Sequence, residues 1–232
     1  MAKEYYQVSY KTYFNERVKP VLFQGKETYP LYVQVTYDRK TAFFKSYYFD
    51  LFTQPKYDHL KIRISELDGL ESRVINFITA NNADDFSLEL LSRQYKILAQ
   101  DILDTFEPSF KKWMAWFFKE EGLPGLAAVL KRGMEEISAF RLWEELKISI
   151  DPALFKRMEE EAVWEGGPYF VLAAYTWYKF PDGPFCLPLH EWIDKDKHGE
   201  IREFIGKMGW EVDMGRIMRA IRLLYPNGID SK

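Results

Sequence analysis

The segment Asp194-Lys195-Asp196-Lys197-His198-Gly199-Glu200-Ile201 comes nearest to a metal site, because it copies the opening of an EF-hand calcium loop. Asp194, Asp196, Gly199 and Ile201 match positions one, three, six and eight. Position five is His198, a poor partner for a hard cation, and position twelve is Ile205, where calcium needs a bidentate carboxylate. No second loop exists to pair with it, so the segment is expected to be a polar turn between two helices. Three scattered histidines and one cysteine fit none of the usual zinc spacings. Cys186 and His190 are close in sequence, but Phe185 and Leu187-Pro188 give the thiol an apolar setting in which cysteine is inert packing. Glu135-Glu136 and Glu159-Glu160-Glu161 have the residue types of acid–base pairs and the spacing of solvated helix faces. Gly166-Gly167-Pro168 lacks the lysine and hydroxyl residue of a phosphate-binding loop. No catalytic residue, metal or cofactor is expected.

Two other clusters carry chemistry suited to nucleic acid. Trp113, Trp116, Phe117 and Phe118, beside Lys111 and Lys112, could stack bases and meet phosphates. The i, i+3, i+4 spacing of Trp113, Trp116 and Phe117 is that of core-facing helix positions, and burial is the expectation. The second cluster lies in Tyr29–Leu51. There Leu31, Val33 and Val35 alternate with Tyr32, Gln34 and Thr36, the period-2 pattern of a strand with two different faces. Asp38-Arg39-Lys40 supplies a polar, basic turn, and Thr41 to Phe49 resumes with aromatic and β-branched residues. An earlier run, Tyr5 to Phe14, adds a third strand through the loop holding Pro20 and Gly25. Residues 5–52 are thus expected to form an antiparallel sheet.

This stretch resembles the amino-terminal arm-type DNA-binding domain of tyrosine recombinases, the integrases of phages and conjugative elements. In that family a strand patterned like Pro30-Leu-Tyr-Val-Gln-Val-Thr36 turns through a basic tip into an aromatic second strand. The likeness covers residues 5–95, with the family helix at Leu67–Thr79 and a shorter one at Ser87–Leu98. The resemblance implies a non-enzymatic, double-stranded DNA-binding accessory protein of a phage or mobile element. Arg39 and Lys40 at the tip, with Lys45 and Gln34 on the strands, would meet phosphates or base edges. The recombinase itself is not implied. Its chemistry needs a cage of Arg, Lys and His around the phosphate, yet His59, His190 and His198 are followed at the required spacing by Ile62, Ile193 and Ile201. A second reading is a phage structural or assembly protein, a virion or head–tail ring component, whose aromatic sheet packs against other subunits or copies of itself.

The 232 residues suit one sizeable domain or two small ones. Charge is uneven along them: residues 1–64 carry 11 Lys/Arg against 6 Asp/Glu, and residues 65–232 carry 21 against 29. The first 64 residues also hold 16 of the 40 aromatics. A basic, aromatic head on an acidic body suits a polyanionic or acidic partner. No signal peptide and no membrane span is read, and the expected location is the cytoplasm, or a virion.

The elements that must position these groups follow from caps and breakers. Ser87 caps a helix whose apolar face runs from Leu90 to Leu103. Pro108 opens another through Glu121, and Pro124 one to about Leu146. Asp151-Pro152 starts a helix to Glu165, stopped by Gly166-Gly167-Pro168. Tyr169–Phe180 is apolar nearly all round, with its length favouring helix over strand. Pro181-Asp182-Gly183-Pro184 is a turn, and Met214–Tyr225 an amphipathic helix. The expected fold is α+β: a three-stranded sheet domain over residues 1–100 and a mostly helical domain over 101–232.

Overall fold

The structure is a computed structural model, and it describes residues 7–133, 136–181 and 185–225. The fold is α+β, an N-terminal antiparallel sheet followed by a mostly helical body. The chain forms two compact units, Met1–Gln100 and Asp101–Lys232.

In the first unit, β1 (Ser9–Phe14), β4 (Leu31–Tyr37) and β5 (Lys40–Lys45) make an antiparallel sheet in the order β1-β4-β5. Between β1 and β4 the chain forms a small separate hairpin, β2 (Val21–Phe23) and β3 (Lys26–Thr28). Leu31, Val33 and Val35 are almost fully buried, so the alternation read in β4 is the alternation of its two faces. The inner face meets α2 (Ile64–Asn81) and α3 (Leu88–Leu98). Tyr10 and Thr12 of β1 hydrogen-bond Ser72 and Asp68 of α2, while the Phe44 ring of β5 packs against Tyr95 of α3 at 4.3 Å.

The sheet ends sooner than its composition predicts. Tyr47–Phe52 is a helix, α1, although Tyr47, Tyr48 and Phe49 have strand propensity. Ser46 decides it: its hydroxyl accepts from the Phe49 amide at 3.0 Å and donates to Glu71 at 2.6 Å. Glu71, wholly buried, also takes a bond from the Tyr95 hydroxyl at 2.6 Å, so one carboxyl ties α1, α2 and α3 together. Burial pushes that carboxyl up to about 7, against the hydrogen bonds from Ser46, Tyr95 and the Tyr48 amide.

Among its described residues the second unit is mostly helical: α4 (Ile102–Glu120), α5 (Pro124–Arg132), α6 (Ala139–Ser149), α7 (Pro152–Glu165), α8 (Gly167–Lys179), α9 (Leu189–Ile193), α10 (Lys195–Lys207) and α11 (Met214–Leu224). Three boundaries differ from those read in the sequence. α3 stops at Leu98, and Ile102 and Leu103 belong to α4, which starts six residues before Pro108 because buried Asp101 caps it. The Asp101 carboxylate accepts the amides of Leu103, Asp104 and distant Leu187 at 3.1, 3.2 and 2.7 Å. The helix expected over Pro124–Leu146 is two helices. Gly133 closes α5, and Ser138 caps α6 through the Arg141 amide. Of Tyr169–Phe180 all but the last residue is helical, as its length indicated, Phe180 being the C-cap of α8. The Asp182-Gly183-Pro184 part of the predicted turn lies outside the described residues. Among the described residues no helix is long and apolar enough to cross a membrane.

Candidate nucleic-acid interface

The β4–β5 hairpin turns on two residues rather than three. Asp38 and Arg39 both have positive φ, 47° and 59°, the left-handed pair that matches the twist of flanking strands. Lys40 is therefore already strand, paired with Tyr37.

The register then sorts every side chain to a face, since directly opposed residues share one. Opposite Tyr32 lie Tyr13 and Lys45; opposite Gln34 lie Lys11 and Phe43; opposite Thr36 lie Ser9 and Thr41. These nine positions form the outward face, and none of them is a carboxylate. Lys11, Phe43 and Lys45 are exposed, Phe43 to 59%, and Tyr13, Tyr32 and Gln34 are half-buried. The rings cluster at the centre, Tyr13 lying 6.1 Å from Tyr32 and 6.5 Å from Phe43. The outer strand axes lie two spacings of about 4.8 Å apart, on the scale of a major groove about 12 Å wide.

Of the four residues singled out in the sequence, Gln34 and Lys45 share this face. Lys45 is held by Asp50 at 2.7 Å, an exposed pair. Such a pair contributes on the order of 0.2–1 kcal/mol and yields readily to phosphate. Arg39 sits in the turn itself, exposed. Lys40 does not join them: its partner Tyr37 lies on the helix side, against Phe86 with ring centres 4.8 Å apart. Lys11 takes its place on the outward face. The sequence carried that signal in the alternation Ser9, Lys11, Tyr13, which becomes informative once β1 is registered on β4.

The other clusters do not assemble as sites. Trp113 and Phe117 are buried, but Trp116, expected inside, is 49% exposed. Lys111 is unavailable to phosphate, being 4% exposed and bonded to Glu107 at 2.6 Å, while Lys112 is exposed. The calcium-like segment is the first turns of α10 from Lys195 on. There the His198 ring packs on Trp192 at 4.5 Å, and Glu200 accepts the Tyr175 hydroxyl at 2.5 Å. Among the described residues no group of three or more His, Cys, Asp or Glu is placed to hold a metal. Cys186 and His190 are both buried, and Glu160 pairs with Lys156 at 3.9 Å. Glu135 lies outside the described residues.

One concave site went unread in the sequence. A groove of about 500 Å³ opens in the second unit, lined by aromatic residues of α4, α6 and α8, by Phe204 of α10 and by Trp210. Its residues lie up to a hundred positions apart, so no local spacing announces it. No family model, curated protein or solved structure matches the chain.

Proposed function

We propose that residues 1–100 are a duplex DNA-binding module, and that the whole chain serves a phage or mobile element without catalysing a reaction. The observation that carries this reading is the outward sheet face. Lys11, Lys45, Gln34 and two threonines stand there beside three aromatic rings with no carboxylate among them. A sheet of this width laid in the major groove would send the two lysines and Arg39 to phosphates, which supply most of the affinity. Gln34, at the centre of the face, reaches for base edges, where a glutamine amide suits adenine. Phe43 opposite it offers an apolar surface to thymine methyl groups. Lys40 is assigned no contact with the base edges.

The test is a titration of duplex DNA against salt. Lys11→Ala and Lys45→Ala are each expected to weaken binding across all sequences and to flatten the log-affinity against log-salt slope by about 0.9. Gln34→Ala is expected to leave the slope alone and to reduce discrimination between sequences. Binding unchanged by all three substitutions overturns the reading.

Phe43, exposed to 59% within a ring cluster, supports a second reading in which the same face joins copies of the chain in a virion or ring. Phe43→Ser would then dissolve a multimer, and duplex binding at low salt would be absent.

A further inference from the structure

We propose that the aromatic groove of the second unit binds an organic cation, an ammonium group carried on an apolar body. Its size lies within the range of about 300–1,000 Å³ usual for small-ligand sites. Its wall is an arc of rings in sequence Trp143, Phe170, Trp210, Phe204 and Tyr178, with successive centres 4.9, 5.5, 5.7 and 5.3 Å apart. Phe140 and Trp177, 4.7 Å apart, also line the groove. Buried Tyr169 stacks on Phe110 at 4.8 Å and lines it as well. Trp177, Tyr178 and Met208 are left 46, 59 and 48% exposed at its rim. Large apolar groups uncovered together around a concavity mark a binding surface rather than packing.

The charged residues of the lining choose the ligand class. They are Glu144, Glu159 and Lys147, and none of the three forms an ion pair among the described residues. Two carboxylates against one ammonium, all exposed, leave the site's rim negative, and any ring face turned to the groove adds the negative lobe of its quadrupole. An anion meets both as repulsion. A neutral body gains only from area, whereas an ammonium gains from the rings and the carboxylates together.

Two isosteric probes separate these classes: (4-hydroxyphenyl)trimethylammonium and neutral 4-tert-butylphenol, titrated calorimetrically into the full chain. The cation is expected to bind about tenfold more tightly, between what exposed and desolvated cation–π contacts supply. Glu144→Gln with Glu159→Gln is expected to narrow that ratio, and Tyr178→Ala, at an exposed position, to weaken the cation. Trp116→Ala, an exposed tryptophan away from the groove, is the control and leaves both affinities unchanged. Equal affinity for the two probes, or tighter binding of the phenol, overturns the proposal in favour of a neutral apolar ligand. Binding of neither probe to a chain with an unaltered melting curve overturns it outright.

Discussion

The sheet face of the first unit and the groove of the second both expose clustered aromatic rings, and their neighbours differ in sign. On the sheet, Tyr13, Tyr32 and Phe43 share a face with Lys11 and Lys45, and its one carboxylate neighbour described above is Asp50, which pairs with Lys45 from α1. In the groove, Trp143, Trp177, Tyr178 and Trp210 share a lining with Glu144 and Glu159 against Lys147. Shape differs in the same sense, a flat face for a long polymer and a concavity for a small molecule. Rings alone do not name a ligand, because every base, apolar body and cation has some use for a π face. The charge set beside the rings does, and it is what the following experiments disturb.

The largest expected effect falls on a lysine that resembles a phosphate contact and is none. Lys111 is buried against Glu107, whose carboxylate also holds the Ala139 amide at 2.7 Å at the start of α6. Lys111→Ala leaves that carboxylate buried without its counter-charge, which typically costs about 3–5 kcal/mol. A marked fall in melting temperature is expected, whereas Lys11→Ala on the sheet should leave melting unchanged. An unperturbed melt for Lys111→Ala would return this lysine to the pool of ligand-binding cations.

A smaller effect compares the buried carboxyls, Glu71 in the first unit and Asp101 in the second, both pushed up to about 7 by burial. The folded chain then holds protons that the unfolded chain releases above the ordinary carboxyl range. Stability is therefore greatest at or below about 4.5 for these groups and falls as pH rises to about 7. Glu71 should contribute a loss of a few kcal/mol across that window, and Glu71→Gln should flatten it. Asp101 rises to the same value from a lower ordinary one, 3.8, despite its three amide bonds, so it should contribute at least as much. His198, held low by burial, works in the opposite sense over the same range, so the readout is wild type against Glu71→Gln: a wild-type advantage that grows rather than shrinks between pH 5 and 7.5 would contradict the assignment.

How much of this was legible depended on whether the cause was local. The period of Leu31–Tyr37 and the caps Ser87 and Asp151 lie within a few residues of what they control, and were readable. Lys40 was misplaced by a single residue. Taking Asp38–Lys40 as a three-residue turn, where two suffice, left Lys40 at the tip, and its place in the strand puts it on the face of Tyr37 rather than that of Gln34. Trp116 fell to a related ambiguity, since it lies about 100° around the helix from Phe117 and off the stripe that packs. The start of α4 depends on Leu187, and the groove on residues from Phe110 to Trp210. Nothing near those positions in sequence records such partners. Gly166 is similar: a Cβ there would meet the Ala162 carbonyl at 2.6 Å and Phe110 at 2.9 Å. The sequence shows a glycine and a break, and the fold shows a close approach beside the groove.

The smallest expected effect is also the cleanest separation of charge from fold. Arg39 occupies the left-handed region at φ 59°, a conformation that costs an ordinary L-residue on the order of 1–2 kcal/mol and glycine nothing. Glycine surrenders more freedom on folding, which returns part of that difference. Arg39→Gly is therefore expected to stabilise the hairpin slightly, by about 0.5 kcal/mol, while removing one positive charge from the tip. If the sheet reads duplex DNA, the variant melts no lower and binds more weakly, with a salt slope reduced by about 0.9. A destabilised variant would mean that the arginine side chain supports the turn. A stable variant with unchanged affinity would move the contact surface off the hairpin tip, leaving Lys11 and Lys45 to carry it.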